Sequence, residues 1–182
     1  MICAFDPGGT TGWARWCNDD EGEPIVIAGQ SSFDALIREV EELEFEEGDV
    51  IVAERFTINA QTVRHSQQTT ALEVIGYLRA VALTNGLDFV LQTPADAKRF
   101  AQVGSDKNAR LVSLGWLQRP LADNDHANDA LRHLVLYLVK NKIIEPPRVA
   151  PREKCTCEQM GNGVISGNDG RLPPAEGCPR HG

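Results

Sequence analysis

The residues of this chain best suited to chemistry are acids at the ends of two predicted strands. Asp6 follows the apolar residues 2–5 and precedes the glycine-rich turn 7–12, and Glu54 follows the apolar residues 50–53. Glycines let the backbone approach a phosphate or a metal closely, and Pro7 removes one backbone donor. The plain alternative is a glycine-rich turn that carries an incidental Asp, because D-x-G turns are common.

A third polar group opens the last predicted helix. His126 and Asp129 are three residues apart and therefore lie on one helical face, and Asp125 is spaced to share that face. Converging carboxylates and an imidazole form an oxygen-rich site of the kind that Mg²⁺ or Mn²⁺ prefers. Two such ions about 4 Å apart would activate a water and stabilise the departing oxygen in phosphodiester hydrolysis. Taken singly, these residues also fit an ordinary helix cap or surface ion pair.

The hydrophobic pattern predicts the elements that must bring these residues together. Strands over residues 2–6, 13–17 and 24–28 form an antiparallel meander, a helix follows Ser31 or Ser32, and further strands cover residues 50–53 and 87–91 around a helix at 67–84. Three more helices are predicted to start at Thr93-Pro94, at Ser105 and at Asn124 or Asp125. The result is an α/β fold with a mixed five-stranded sheet of order 3-2-1-4-5, which places the ends of strands one and four side by side.

Charge is distributed unevenly along the chain. The net charge of −8 argues against a nucleic-acid-binding protein, but residues 18–54 carry 13 acids against Arg38 alone. Residues 55–119 carry eight basic residues against four acids. One half of the sequence would therefore repel a polyanion while the other half would accept it, unless both are ordinary solvated surface.

Length and hydropathy narrow the class of protein. The 182 residues suit about one domain, and no apolar run reaches the roughly 18 residues that a membrane span needs. The first residues lack the basic and apolar regions of a signal peptide, so we expect a cytoplasmic protein with no membrane partner. Cys3 and Cys17 fall in predicted strands as small core residues.

The composition changes at residue 146. Residues 146–182 are rich in proline and glycine and poor in large apolar groups, so this tail cannot build a core of its own. Its Cys and His residues form two close pairs of the type that zinc prefers, namely Cys155, Cys157, Cys178 and His181. A structural Zn²⁺ knuckle would order the segment, and a disordered tail with reduced thiols is the alternative.

Three segments together resemble a known family. AFDPGGTTGWA, VIVAERF and DHANDALRHLVLYL are similar to motifs of the RuvC-like Holliday junction resolvases, of the RNase H-like superfamily, and the resemblance covers about residues 1–142. It implies that Asp6, Glu54, His126 and Asp129 hold the catalytic metal ions. PADAKRFAQVGSDKNARLV resembles the family's basic stretch, which implies that Lys98 and Lys107 lie near DNA phosphate.

The resemblance also implies an activity, and the change in composition at residue 146 gives the domain division. Residues 1–145 would form the nuclease domain and 146–182 the tail, in a structure-selective endonuclease that acts on branched DNA. Lys98, Lys107 and Arg110 would position the DNA backbone, and a water activated by metal or by His126 would attack the phosphate. The family implies a homodimer that cuts opposing strands, and small tailed chains of this kind resemble those of bacteriophages. The acidic stretch 39–49 and the tail depart from the family pattern.

Other functions fit parts of the same pattern. An RNase H-like exonuclease or flap nuclease would use the same metals, and a non-catalytic DNA-binding protein would keep the fold without cleavage. An actin-like phosphotransferase also begins with a D-x-G strand turn, but it needs a second nucleotide-binding half for which 182 residues leave no room.

Overall fold

A mixed β-sheet forms the centre of the fold. The computed structural model describes residues 1–57 and 68–149, and within these ranges the sheet has five strands: β1 (Ile2–Asp6), β2 (Thr10–Asn18), β3 (Pro24–Ser32), β4 (Val50–Glu54) and β5 (Asp88–Gln92). Their order is β3-β2-β1-β4-β5. The first three strands pair antiparallel, whereas β1, β4 and β5 pair in parallel. The predicted fold class and strand order are therefore confirmed.

Helices cover both faces of this sheet. In the same described ranges they are α1 (Phe33–Glu41), α2 (Gln68–Asn85), α3 (Pro94–Ala101), α4 (Ala109–Leu114) and α5 (Asp125–Lys140). The predicted caps of two helices are confirmed, because the side chains of Ser32 and Thr93 accept hydrogen bonds from the first-turn amides of α1 and α3. No helix of this described part of the chain is both long and apolar enough to cross a membrane.

Alternation along the strands divides the core in two. Ile2 and Ala4 of β1 pack with α5, whereas Cys3 and Phe5 pack on the opposite face with α1 and α2. β4 follows the same rule, since its Val50 and Val52 belong to the α5 side. With a side-chain period of two, the terminal acids of β1 and β4 fall on the α5 side as well. The sheet thus directs both acids toward one helix.

The hairpin of β2 and β3 is longer than predicted. The apolar pattern marks residues 13–17 and 24–28, yet the strands continue to pair through polar and glycine residues, with Thr10 opposite Ser32 and Gly12 opposite Gln30. Backbone hydrogen bonds extend the ladder where no hydrophobic alternation marks it. This extension carries Gly12 to a position opposite Asp6 in β1.

The predicted start of the fourth helix is wrong. Ser105 does not cap α4, which follows Asn108, so Lys107 lies before the helix. Residues 103 to 106 instead close a tight turn, in which the amide of Val103 donates to the Asp106 carbonyl and the amide of Asp106 donates back. Gly104 allows this turn with a φ of 60°, and the Asp106 side chain then accepts from the Asn108 amide.

Candidate metal centre

Asp6 and His126 meet because Gly12 has no side chain. Asp6 is the last residue of β1, and its partner in the antiparallel register is Gly12. A Cβ on Gly12 would lie 1.8 Å from the carbonyl oxygen of His126, so the first turn of α5 packs directly on the backbone of β2. His126 Nδ1 then lies 2.9 Å from Asp6 Oδ2. This contact uses Nδ1 and leaves Nε2 as the nitrogen suited to a metal ion.

The neighbouring acids change the protonation of His126. The hydrogen bond to Asp6 raises the pKa of His126 above its ordinary value of 6.5, burial opposes this effect, and the charges of Asp6 and Asp125 add to it. A protonated imidazole cannot bind a metal ion through its nitrogens. Metal binding at this position should therefore release a proton and strengthen as pH rises.

We expect an NMR titration of the metal-free protein to give His126 a pKa above 6.5 and a lower value in the Asp6→Asn variant. Because the folded-state pKa is raised, the Asp6–His126 contact stabilises the protein fully below about pH 6.5. That stabilisation is lost as pH rises through the raised pKa. The stability difference between wild type and His126→Gln, measured by urea unfolding in EDTA, should shrink over the same range. A His126 that titrates below 6.5 would contradict this electrostatic description.

Glu54 is held by a second histidine from α5. His133 Nε2 lies 2.9 Å from Glu54 Oε2, and His133 Nδ1 lies 3.0 Å from Gln92 Oε1. Glu54 and Gln92 are register partners at the ends of β4 and β5, which brings their side chains to one position on the sheet. Only one carboxylate oxygen of Glu54 is engaged by the imidazole, so the other is suited to a cation.

Asp129 lies on the same face of α5 and contacts a cation of the protein itself. Its Oδ1 forms an ion pair with Arg132 Nη1. Arg132 Nε and Nη2 donate to Asn108 Oδ1 at 3.1 and 2.7 Å. Asn108, which precedes α4, therefore anchors the guanidinium from the side opposite Asp129.

Arg132 is the positive charge within a group of acids. Burial lowers the pKa of its guanidinium, while the negative charges of Asp125, Asp6 and Glu54 act in the opposite direction. These three carboxylates thus lie near enough to Arg132 to interact with it electrostatically, at the edge of the sheet where β1 and β4 end. Asp125, in the first turn of α5, interacts with both His126 and Arg132 through its charge.

The donor set suits a hard divalent cation. Carboxylate oxygens of Asp6, Glu54 and Asp129 with one imidazole nitrogen are ligands that Mg²⁺ and Mn²⁺ accept. Asp129 Oδ1 is paired with the Arg132 guanidinium, so a metal ion would have to compete with Arg132 for this oxygen or use Oδ2. Over residues 1–57 and 68–149, no three His, Cys, Asp or Glu side chains are already as close together as ligands of one ion. These residue types are suited to binding a metal ion, but their side chains contact other groups of the protein in this structure.

The predicted DNA-contacting residues lie beyond this cluster, on α3 and around α4. Lys98 is exposed in the last turn of α3, and Lys107 is exposed in the segment before α4. Arg110 is half-buried: its Nε donates to the Phe100 carbonyl at 2.7 Å, and its Nη1 donates to the Pro147 carbonyl at 3.3 Å. The predicted zinc ligands Cys155, Cys157, Cys178 and His181 lie outside the described residues.

The arrangement of sheet and helices has relatives among solved structures. RuvC from Thermus thermophilus, in complex with a Holliday junction substrate, superposes with a TM-score of 0.57 at 14% identity, covering 78% of this chain and 95% of that protein. The chain shares the fold of RuvC. A second structure of Thermus thermophilus RuvC gives a TM-score of 0.52 at 15% identity, covering 77% of this chain and 96% of RuvC. No protein-family model and no curated protein matches the sequence.

The predicted resemblance to RuvC is thereby confirmed at the level of the fold. Within this RuvC-like fold, several residues near the site are not predicted from the sequence. The sequence of α5 indicates only an apolar face and metal-binding residues in its first turns. His126, Asp129 and His133 follow the i, i+3, i+7 spacing of one helical face, so the helical period alone could have drawn attention to His133. Gln92 and Asn108 lie on other parts of the chain, and nothing local marks them. Gly12 belongs to the glycine-rich turn noted in the sequence, but its packing against α5 could not be foreseen there.

Proposed function

We propose that this protein is a divalent-metal-dependent endonuclease that resolves Holliday junctions or related branched DNA. The observation that supports the proposal is the contact between Asp6 at the end of β1 and His126 of α5, on a fold shared with RuvC. Glu54 ends the neighbouring parallel strand β4, and Asp129 lies one turn further along α5. The neighbouring RuvC structure contains a Holliday junction substrate, which supports branched DNA as the ligand class. Phosphodiester hydrolysis is one of the reactions that carboxylates with divalent ions serve, and it is the one that fits a DNA substrate.

The residues of the site would divide the work as follows. Asp6, Glu54 and Asp129 would supply carboxylate oxygens to Mg²⁺ or Mn²⁺, His126 would bind through Nε2, and Asp125 would act as an auxiliary ligand. When bound, the ions activate a water and stabilise the oxygen that leaves phosphorus. In the alternative role, Nε2 of His126 would bind no metal and would instead accept a proton from the attacking water, while Nδ1 stays on Asp6.

Basic residues would hold the DNA beside this cluster. Lys98 and Lys107 are exposed and would contact backbone phosphates, which fixes the position of the duplex without reading its sequence. Arg110 has two of its nitrogens engaged by carbonyls of the protein, so its remaining donors would serve a phosphate. Recognition would depend on the branched shape of the DNA.

A panel of DNA substrates tests the proposal against its alternatives. With Mg²⁺ or Mn²⁺, we expect cleavage of a synthetic four-way junction well in excess of cleavage of a linear duplex of the same sequence. Stepwise shortening of linear DNA from its ends would instead indicate an exonuclease, and preference for a 5′ or 3′ flap would indicate a flap nuclease. Binding of junctions without cleavage in any metal would indicate a non-catalytic DNA-binding protein.

We also propose that two copies of the chain assemble so that two sites face the junction. Support comes from the outer face of α2, where Leu72 is 42% exposed and Leu83 is 76% exposed, with the exposed Gly76 between them. These residues lie on one helical face over three turns, or roughly 16 Å, and the exposed Arg79 lies on the same face between Gly76 and Leu83. We propose that this stripe, with an exposed leucine at each end, packs against the second copy.

Changing that stripe should change the oligomeric state. We expect Leu83→Glu to convert a dimer to a monomer in sedimentation velocity at micromolar concentration, because a charge would be buried in the apolar contact. Thr84→Glu introduces the same charge one residue further along α2 and should leave the dimer intact. A wild-type protein that sediments as a monomer would contradict the proposed assembly.

A further inference from the structure

His133 is a buried polar residue whose contacts converge on the candidate metal centre. It is 1% exposed and sits among the leucines and valines with which α5 packs on the sheet. Burying an imidazole in such surroundings is costly unless its nitrogens find partners. Both nitrogens do: Nε2 lies 2.9 Å from Glu54 Oε2, and Nδ1 lies 3.0 Å from Gln92 Oε1.

The two partners of His133 are themselves fixed by the sheet. Glu54 and Gln92 are register partners at the ends of two parallel strands, and the Arg55 amide donates to the Gln92 carbonyl at 2.7 Å just beyond the ladder. Gln92 is also buried, at 8% exposure. The imidazole therefore spans two adjacent strand ends and contacts the buried side-chain amide of Gln92.

The contact with His133 fixes the orientation of the Glu54 carboxylate. An ionised carboxylate only accepts hydrogen bonds, so Nε2 donates to Oε2. Since Gln92 Oε1 is also an acceptor, the second contact requires either a proton on Nδ1 as well or a rotated Gln92 amide whose NH2 group donates to Nδ1. The glutamate side chain has several rotatable bonds, and fixing them costs conformational entropy. When the fold has already fixed them, this cost no longer weakens the binding of a ligand. With Oε2 held by His133, Oε1 is directed away from the imidazole and is available to a cation.

We propose that His133, oriented by Gln92, is a positioning residue that preorganises Glu54 to bind the divalent cation. The inference rests on the proposed metal-dependent function and adds two residues to its site. His133 itself would contact neither the cation nor the DNA. A hydrogen-bonding partner behind a metal-binding side chain typically contributes a factor of 10–100 to metal affinity.

The test measures metal binding without DNA, by Mn²⁺ electron paramagnetic resonance on the full-length protein. We expect His133→Leu to weaken Mn²⁺ affinity by about 10–100-fold, and Gln92→Leu to weaken it by a smaller factor because His133 remains on Glu54. His133→Gln retains a side-chain donor and should recover part of the affinity. If His133→Leu does not fold, as judged by circular dichroism, Gln92→Leu alone still tests the proposal.

Cleavage and DNA binding provide the remaining readouts. In His133→Leu, the Mn²⁺ concentration for half-maximal junction cleavage should rise by the same factor, and the rate should recover at high Mn²⁺, while junction affinity in EDTA stays unchanged. Folded variants at His133 and Gln92 with wild-type Mn²⁺ affinity would overturn the positioning role and leave the proposed function intact. A wild-type protein that neither binds Mn²⁺ nor cuts junctions would overturn both.

Discussion

Replacing Asp6 by asparagine is expected to reduce junction cleavage by on the order of a thousandfold or more while leaving junction affinity in EDTA within about threefold of wild type. Asparagine keeps the size of the side chain at the end of β1 but removes the negative charge that a divalent ion requires. Asp129→Asn should behave in the same way, because it removes another carboxylate proposed to bind the divalent ion. The measurement is single-turnover cleavage of a labelled four-way junction alongside a gel-shift titration.

A matched control separates loss of a site residue from loss of any acid. Asp88 is an exposed acid at the first position of β5, where it pairs with Val50 at the end of the sheet opposite to Asp6. Asp88→Asn should cleave junctions at the wild-type rate. If purified Asp6→Asn and Asp129→Asn both retain metal-dependent cutting, the assignment of the site is wrong.

The second large effect is expected from Gly12→Ala, a change of one methyl group outside the acidic cluster. The new Cβ would lie 1.8 Å from the carbonyl oxygen of His126 and 2.9 Å from the amide nitrogen of Ala127. Both contacts are with backbone, so the first turn of α5 would have to move away from β2. Overpacking in a core typically costs about 1–3 kcal/mol, and a clash with helical backbone belongs at the upper end of that range.

The displacement of α5 should also disable the site, because it separates His126 from Asp6. We therefore expect Gly12→Ala to show a lower urea midpoint and little junction cleavage. Gly9→Ala in the same turn is the matched control, since a Cβ there meets nothing within 4 Å. A Gly12→Ala protein with the stability and activity of wild type would show that the close packing of α5 on β2 is not required.

The sheet and the positions of the acids follow from the sequence because both depend on local patterns. The apolar runs ending at Asp6 and Glu54 define two strands, and their position in the 3-2-1-4-5 order brings these ends together. The polar half of the β2–β3 hairpin could not be predicted in this way, because backbone pairing stabilises it without hydrophobic alternation. The start of α4 could not be predicted from Ser105, because residues 103 and 106 exchange backbone hydrogen bonds in a turn that contains Ser105. The helix begins only after this turn, at Ala109.

The partners of the acids were beyond local patterns. From the sequence alone, Arg132 fits a solvent-facing position of an amphipathic helix. In the structure, its guanidinium donates to Asn108, which precedes α4. From the sequence alone, His133 fits a buried core position. In the structure, its imidazole contacts the side chain of Gln92 at the end of β5. Such contacts join residues that are 24 and 41 positions apart, and only the folded chain brings them together. The acids are thus predictable as candidates, while the residues that orient them are not.

The central claim is most directly tested by mapping the cuts that the wild-type protein makes in a synthetic four-way junction with each strand labelled in turn. With Mg²⁺ or Mn²⁺, the proposed site predicts paired nicks at symmetric positions in two opposing strands, and no nicks in EDTA. Nicks confined to one strand, degradation from the DNA ends, or intact junctions at every metal concentration would contradict it.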